Sequence, residues 1–122
     1  MIASSPLIRS VLIVDDDEHL RATIRTYAET LGIDVREAAN GLEALWIVQH
    51  QRPALVLLDL TMPRLDGFET VRHVQTFDPS IRVVLVTGDR SDETRQRFAS
   101  LDLEVLLKPL ALSDLDRLFT AA

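Results

Sequence analysis

Acidic residues follow two apolar runs of the chain, at the points where each run ends. Asp15, Asp16 and Asp17 come directly after the first run, and Asp59 comes directly after the third. Carboxylates brought close together repel one another, and a divalent cation removes that cost. Oxygen donors of this kind favour Mg²⁺, with Mn²⁺ as an alternative. Asp15 and Asp16 are the best metal candidates, whereas Asp17 is better placed to cap the following helix.

Two further polar side chains close the remaining apolar runs. Thr87 follows the fourth run, and Lys108, with Pro109 behind it, follows the fifth. Beside a cation, the Asp59 carboxylate is able to attack phosphorus and form an acyl phosphate. Lys108 and the metal would neutralise charge on the phosphoryl oxygens, and Thr87 would donate a hydrogen bond to one of them. Together the strand ends indicate a phosphoryl-transfer site.

Each of these residues also has an ordinary interpretation. A single Asp, Thr or Lys after a strand is most often a turn or surface residue. Four complementary types at four of five strand ends are much harder to explain in that way. The three histidines have no metal-ligand spacing and are interpreted as surface residues: His19, His50 and His73. Tyr27 and Trp46 are interpreted as helix-packing residues.

The elements that position these residues are apolar runs alternating with helix-like segments. Five runs begin near Val11, Asp34, Ala54, Arg82 and Leu103. Continuously apolar runs are typical of strands buried on both faces of a parallel sheet. Five such units in series predict a doubly wound α/β sandwich with strand order 2-1-3-4-5. We expect a short leader over 1–9 and one domain over 10–122.

Helical spacing and capping residues define the segments between the strands. The first helix is predicted from Glu18 to Leu31, with Gly32 as its stop. Asn40 and Asp66 are predicted to cap the second and third helices. The fifth cap is assigned to Ser113 and Asp116, and the apolar face of the second helix to Leu42, Leu45 and Trp46. The fourth helix, over 91–100, carries one large apolar residue, Phe98, so we expect it to be loosely held.

Composition excludes several classes of function. The chain has 122 residues, a net charge of −6 and no cysteine. Its acidity argues against direct binding of nucleic acid, which needs a basic patch. No apolar run approaches the roughly 18 residues of a membrane span, and the first residues do not resemble a signal peptide. These features fit a cytoplasmic protein.

The motifs resemble the receiver domain of two-component response regulators, from Val11 to Phe119. The resemblance depends on four segments: the VLIVDDD run at 11–17, LDLTMPRLDG at 58–67, VTG at 86–88 and KP at 108–109. It implies a flavodoxin-like fold in which Asp59 accepts a phosphoryl group from a sensor histidine kinase or a histidine phosphotransfer protein. It implies Mg²⁺ held by Asp16, Asp59 and the backbone carbonyl of Thr61, with Asp15 acting largely through water.

The resemblance also implies how phosphorylation would change the surface that a partner recognises. Thr87 and Lys108 would follow the phosphoryl group, and the surface of the fourth helix, fifth strand and fifth helix would change. That surface would regulate an effector protein or a fused output domain, with a phosphorylation-dependent homodimer as a further option. The domain would catalyse only its own phosphorylation and dephosphorylation. Thr61 and Asp89 stand where the family tunes the lifetime of the phosphoryl group.

The chain departs from the family pattern at two positions. Val105 stands where an aromatic partner of the threonine is usual, and Leu110 stands where Phe commonly follows Lys-Pro. We therefore expect phosphorylation with an altered or weaker conformational readout.

Two other functions remain open. A haloacid-dehalogenase-like phosphatase would need a second acid two residues after Asp59, where Thr61 stands. A receiver-shaped scaffold that is never phosphorylated would not need the acids, Thr87 and Lys108. The chain is expected to be either a single-domain regulator or a receiver from a longer protein, and Met1 favours a natural amino terminus.

Overall fold

A parallel sheet lies at the centre of the computed structural model, which describes residues 6–60 and 67–120. Within those residues lie five strands: β1 (Ser10–Val14), β2 (Asp34–Ala38), β3 (Leu55–Asp59), β4 (Arg82–Thr87) and β5 (Glu104–Leu107). All neighbours are parallel, and their order is β2-β1-β3-β4-β5. The predicted fold and strand order are confirmed.

Helices cover both faces of the sheet, because each strand sends alternate apolar residues to opposite sides. The same residues contain five helices: α1 (Glu18–Thr30), α2 (Gly41–Gln51), α3 (Gly67–Phe77), α4 (Asp92–Ala99) and α5 (Leu112–Leu118). Leu12, Val56 and Leu85 pack with α2, α3 and α4 on one side. Val11 and Leu55 pack with α1 and α5 on the other.

The register of the central strands brings the two acidic strand ends together. Val14 of β1 lies opposite Leu58 of β3, so Asp15 and Asp59 are the next residues on neighbouring strands. Both strands end at the topological switch point, where β1 has β2 on one side and β3 on the other. Ligands of open α/β sheets bind at this point.

Capping contacts begin and end the helices largely as predicted. The Asp17 carboxylate accepts hydrogen bonds from the backbone N–H groups of His19 and Leu20 and so begins α1. Gly32, just beyond α1, has a φ of 80°, a left-handed conformation that glycine adopts without strain. Asn40 caps α2 through the N–H of Glu43. The predicted cap of α3, Asp66, lies outside the described residues.

The predicted apolar face of α2 is wrong in part. Leu42 and Trp46 are 58% and 59% exposed, whereas Ala44 and Val48 are fully buried. The indole of Trp46 stacks on the exposed ring of His50, with 4.1 Å between centroids. The larger side chains therefore lie outward because the small ones allow the helix to approach the sheet closely.

The predicted cap of α5 is also wrong. The helix begins at Leu112, after Ala111, and its first turn is closed by the Ala111 N–H donating to the Asp114 carboxylate at 2.9 Å. Ser113 lies inside this turn, and Asp116 instead accepts a hydrogen bond from Tyr27 of α1.

Two further contacts concern the ends of the described chain. Leu7 forms an isolated antiparallel bridge with Thr120, and the Ile8 N–H donates to the Phe119 carbonyl at 2.9 Å. The domain boundary at residue 10 stays a prediction.

In the ranges that the structure covers, no helix is both long and apolar enough to cross a bilayer.

Tyr27 joins α1 to α5 through both its ring and its hydroxyl. The ring stacks on Phe119 with 6.3 Å between centroids, while the hydroxyl donates to the Asp116 carboxylate. This hydrogen bond, together with partial burial and the Asp116 charge, raises the pKa of the Tyr27 phenol above 10.0. A raised folded-state pKa means that the bond stabilises the fold fully below pH 10.0 and that this contribution is lost as pH rises further.

We expect Tyr27 to titrate above its ordinary value in the folded protein. It is the one tyrosine of the chain, so the ultraviolet absorbance of tyrosinate measures it alone. Asp116→Asn should return the pKa of Tyr27 toward the ordinary value, whereas Asp92→Asn, which removes an exposed carboxylate from α4, should leave it unchanged. Equal titration curves for D116N and the wild type would contradict the contact.

Candidate functional site

Three of the predicted acids meet at the carboxyl ends of β1 and β3. One carboxylate oxygen from each of Asp15, Asp16 and Asp59 lies within 4.8 Å of the other two. Asp15 and Asp59 are 4% and 2% exposed, whereas Asp16 faces solvent. The group is therefore a cleft with two buried carboxylates and one accessible one.

The donor set fits a small hard cation. Three carboxylate oxygens at this separation can converge on one ion after small side-chain adjustments, since opposite ligands of octahedral Mg²⁺ lie about 4 Å apart. The open side at Asp16 leaves room for the waters that such an ion retains. The predicted fourth ligand, the backbone carbonyl of Thr61, lies outside the described residues.

Lys108 is brought to the same carboxylates by the end of β5. Its ammonium nitrogen lies 2.9 Å from an Asp15 oxygen and 3.3 Å from an Asp59 oxygen. Its backbone N–H donates to the carbonyl of Thr87 at 2.8 Å, which ties the ends of β4 and β5 together. The lysine thus spans from the fifth strand to the first and third, and it offsets part of the repulsion among the acids.

The surroundings of Lys108 act on its pKa in opposite directions. Partial burial disfavours the charged ammonium, but the hydrogen bond to Asp15 and the charges of Asp59 and Asp15 outweigh it. The net effect raises the pKa of Lys108 above its ordinary value. The lysine is therefore charged at neutral pH and is available to bind an anion.

The backbone of Asp15 is fixed on both sides. Its N–H donates to the Ala38 carbonyl of β2 at 3.1 Å, and its carbonyl accepts a hydrogen bond from the Arg21 guanidinium at 2.6 Å. The Asp15 carboxylate accepts a hydrogen bond from the Asp17 N–H at 2.9 Å. Sequence reasoning assigned no role to Arg21, because an arginine in the first turns of a helix has no distinguishing pattern.

Thr87 ends β4 beside the acids and is 2% exposed. Its hydroxyl oxygen accepts a hydrogen bond from the Asp89 N–H at 2.9 Å. The Asp89 carboxylate is bound to the start of α4 by the Thr94 hydroxyl and by the N–H of Ser91, and these bonds lower the pKa of Asp89. Thr87 is thus connected to α4 through a short chain of hydrogen bonds.

Comparison with known proteins identifies the family to which this geometry corresponds. The family model for the response regulator receiver domain matches residues 11–120. The response regulator MprA of Mycobacterium sp. (strain KMS) is 36% identical over 108 residues, which cover 86% of this chain and 46% of that protein. The chain therefore spans about half the length of this curated relative.

Solved structures show the same fold. A CheY-like receiver domain protein from Methanospirillum hungatei JF-1 aligns with a TM-score of 0.82 and 26% identity, over 90% of this chain and 89% of that one. The chemotaxis protein CheY4 of Vibrio cholerae aligns with a TM-score of 0.79 and 28% identity, over 91% of this chain and 98% of that one.

The position of Lys108 leads to a prediction about cation binding. Its ammonium occupies the same carboxylates that a metal would bind, so Lys108→Met should raise the affinity for Mg²⁺. We expect a gain of roughly tenfold, the equivalent of about 1.4 kcal/mol for the removed repulsion. Titration calorimetry measures the affinity directly.

Arg82→Met is a matched control, because it removes one positive charge at the opposite end of the sheet. Its affinity for Mg²⁺ should equal that of the wild type. Weaker Mg²⁺ binding in K108M than in the wild type would contradict the competition between lysine and metal.

Proposed function

The chain belongs to the response regulator receiver domain family, and we propose that Asp59 is the residue that accepts the phosphoryl group. The observation that supports this most directly is the convergence of Asp15, Asp16, Asp59 and Lys108 at one edge of the sheet. Asp59 is the last residue of β3, the middle strand of the five, whereas Asp15 and Asp16 lie beyond the end of β1. Its carboxylate is nearly buried and held close to a cation, as a nucleophile toward a charged phosphoryl group requires.

Asp15, Asp16 and Asp59, with the Thr61 carbonyl, are proposed to hold Mg²⁺. A bound Mg²⁺ neutralises charge on the phosphoryl oxygens during transfer. Asp16, the exposed member, would hold the ion directly, and Asp15 would act largely through a bound water. Mn²⁺ would bind the same oxygen set.

Transfer exchanges one bond to phosphorus for another. An Asp59 oxygen attacks the phosphorus of a phosphohistidine in the donor protein, the new P–O bond forms and the P–N bond breaks. The electron pair of the broken bond returns to the imidazole nitrogen, which then takes a proton. Lys108, held at 3.3 Å from Asp59, then pairs with a phosphoryl oxygen. Thr87 donates its hydroxyl hydrogen to another.

The proposed phosphoryl donor is a sensor histidine kinase or a histidine phosphotransfer protein. The proposed downstream partner is an effector protein, a fused output domain or a second copy of the chain. The domain over residues 10–122 would work in the cytoplasm and would catalyse only its own phosphorylation and dephosphorylation. The curated relatives are response regulators about twice as long as the part matched here. An attached output domain is therefore one arrangement that these relatives support.

A small phosphodonor tests the acceptor assignment. Incubation with acetyl phosphate and Mg²⁺ should add the mass of one phosphoryl group to the intact protein. Asp59→Asn should abolish the adduct because an amide oxygen is a poor nucleophile toward phosphorus. Asp17→Asn is the matched control, because Asp17 caps α1 outside the acid group, and it should retain the adduct.

Each alternative function predicts a different result. A scaffold that is never phosphorylated would gain no mass with any donor. A phosphatase would hydrolyse phosphate esters with many turnovers and accumulate little adduct. An undiminished adduct in D59N would show that another residue accepts the phosphoryl group.

Val105 leaves a groove beside the proposed site. Val105 and Leu107, on one face of β5, are 43% and 39% exposed. They line a cavity of about 410 Å³ between β5 and α4, and Phe98 of α4 and Thr87 of β4 also line it. A displacement of Thr87 toward a phosphoryl group would therefore alter few packed contacts near β5, and the hydrogen bonds through Asp89 would be its main connection to α4. The loss of the packing route supports a weaker conformational readout.

We expect phosphorylation to change the amide chemical shifts of α4 only slightly in the wild type. Val105→Tyr should enlarge the change, because an aromatic ring in the groove would couple Thr87 to α4 by direct packing. Leu42→Tyr, on the exposed face of α2, is the control and should behave as the wild type. Large shifts throughout α4 in the phosphorylated wild type would contradict the weak readout.

A further inference from the structure

Arg21 connects three elements at the edge of the acid group. It lies in the first turns of α1, and its side chain is only 15% exposed. One guanidinium nitrogen, Nη1, donates to the backbone carbonyl of Asp15 at 2.6 Å. A second nitrogen, Nε, donates to Glu37 of β2 at 3.1 Å. The largely buried guanidinium of Arg21 is thus held by the Glu37 carboxylate on one side and by the Asp15 carbonyl on the other.

The carbonyl that Arg21 binds belongs to the peptide group between Asp15 and Asp16. On one side of this peptide, the Asp15 N–H donates a hydrogen bond to the Ala38 carbonyl of β2. On the other side, the Asp17 N–H donates to the Asp15 carboxylate. Arg21 supplies the remaining constraint, which sets the rotation of the peptide plane. That rotation determines where the Asp16 side chain points, because Asp16 follows directly after it.

Glu37 determines where Arg21 can reach. Its carboxylate accepts one hydrogen bond from Arg21 and a second from Arg25, one turn further along α1. In the described part of the chain, Arg25 donates a hydrogen bond to Glu37, forms an ion pair with Glu29 and makes no hydrogen bond to Asp15. Both arginines lie in α1, carry a positive charge and bind Glu37. They differ in that Arg21 contacts the acid group, through the Asp15 carbonyl, and Arg25 does not.

We propose that Arg21, anchored by Glu37, is a positioning residue that orients the Asp15–Asp16 peptide for cation binding. The inference rests on the proposed function only in that the acid group binds a cation. Partners that orient metal ligands in this way typically change metal affinity by about ten- to a hundredfold when they are removed.

Charge and positioning predict effects of opposite sign. Removing a positive group near a cation site would, by charge alone, strengthen cation binding. Removing a group that holds the ligands in place would weaken it. A loss of affinity after loss of a positive charge therefore identifies positioning and cannot arise from electrostatics.

Calorimetric titration of the full chain with Mg²⁺ measures the effect. Arg21→Met should weaken binding by about tenfold. Arg21→Lys keeps the charge but provides one nitrogen in place of two, so it should bind Mg²⁺ with an affinity between those of R21M and the wild type. Arg25→Met is the matched control and should bind at least as tightly as the wild type. Urea unfolding of each variant shows that the titrated protein is folded.

Unchanged or tighter Mg²⁺ binding in R21M would overturn the proposal. A lower free energy of unfolding with unchanged affinity would also overturn it, because that result describes a purely structural ion pair. If R21M does not fold, R21K decides: by charge alone its affinity equals that of the wild type, whereas positioning requires a loss.

The proposed function fails separately from this inference. A wild-type chain that binds Mg²⁺ but gains no phosphoryl group from any donor would refute the acceptor role of Asp59, while the variant affinities would still test Arg21. A wild-type chain that binds no Mg²⁺ would overturn both.

Discussion

Mutual repulsion among the carboxylates of Asp15, Asp16 and Asp59 is the constraint around which the rest of the structure is arranged. The sheet holds the acids together because β1 and β3 pair in parallel and end at the same level. Without compensation, two nearly buried charges side by side would cost several kcal/mol. Lys108 provides part of the compensation from β5, and it can do so because the Thr87 carbonyl holds its backbone. Repulsion and compensation therefore connect β1, β3, β4 and β5.

The same arrangement suits a site that must accept charge and later release it. The lysine already lies between two carboxylates, so an incoming cation or phosphoryl group exchanges one set of charge pairs for another. Such an exchange needs only short side-chain movements on a rigid frame. The core beneath, formed by alternate residues of each strand, is closely packed on both faces and resists larger shifts.

The periphery is less uniform than the centre. On the β2 side, Glu37 and Arg21 tie α1 to the acid-bearing turn through charged hydrogen bonds. On the β5 side, Phe98 is the buried residue of α4, the Asp89 hydrogen bonds connect the start of α4 to Thr87, and a groove lies between α4 and the exposed Val105 and Leu107. The β2 side of the sheet is thus suited to keeping the acid group in position. On the β5 side, α4 has room to move.

The fold class and the acid group could be predicted from the sequence, because apolar runs and helical spacing are local patterns. The strand order could be predicted because five βα units in series have few economical arrangements. Continuously apolar runs must be buried strands, and parallel strands must bring Asp15, Asp59, Thr87 and Lys108 to one edge. Local patterns also identified Asp17 and Asn40 as caps. The buried side of α2 could not be predicted in the same way, because Leu42 and Trp46 are apolar enough for either position and the close approach to the sheet favoured Ala44 and Val48. Only the tertiary structure decided that Asp116 binds Tyr27 and that Arg21 reaches the Asp15 carbonyl, since these contacts join residues from separate elements whose distances the chain order does not specify.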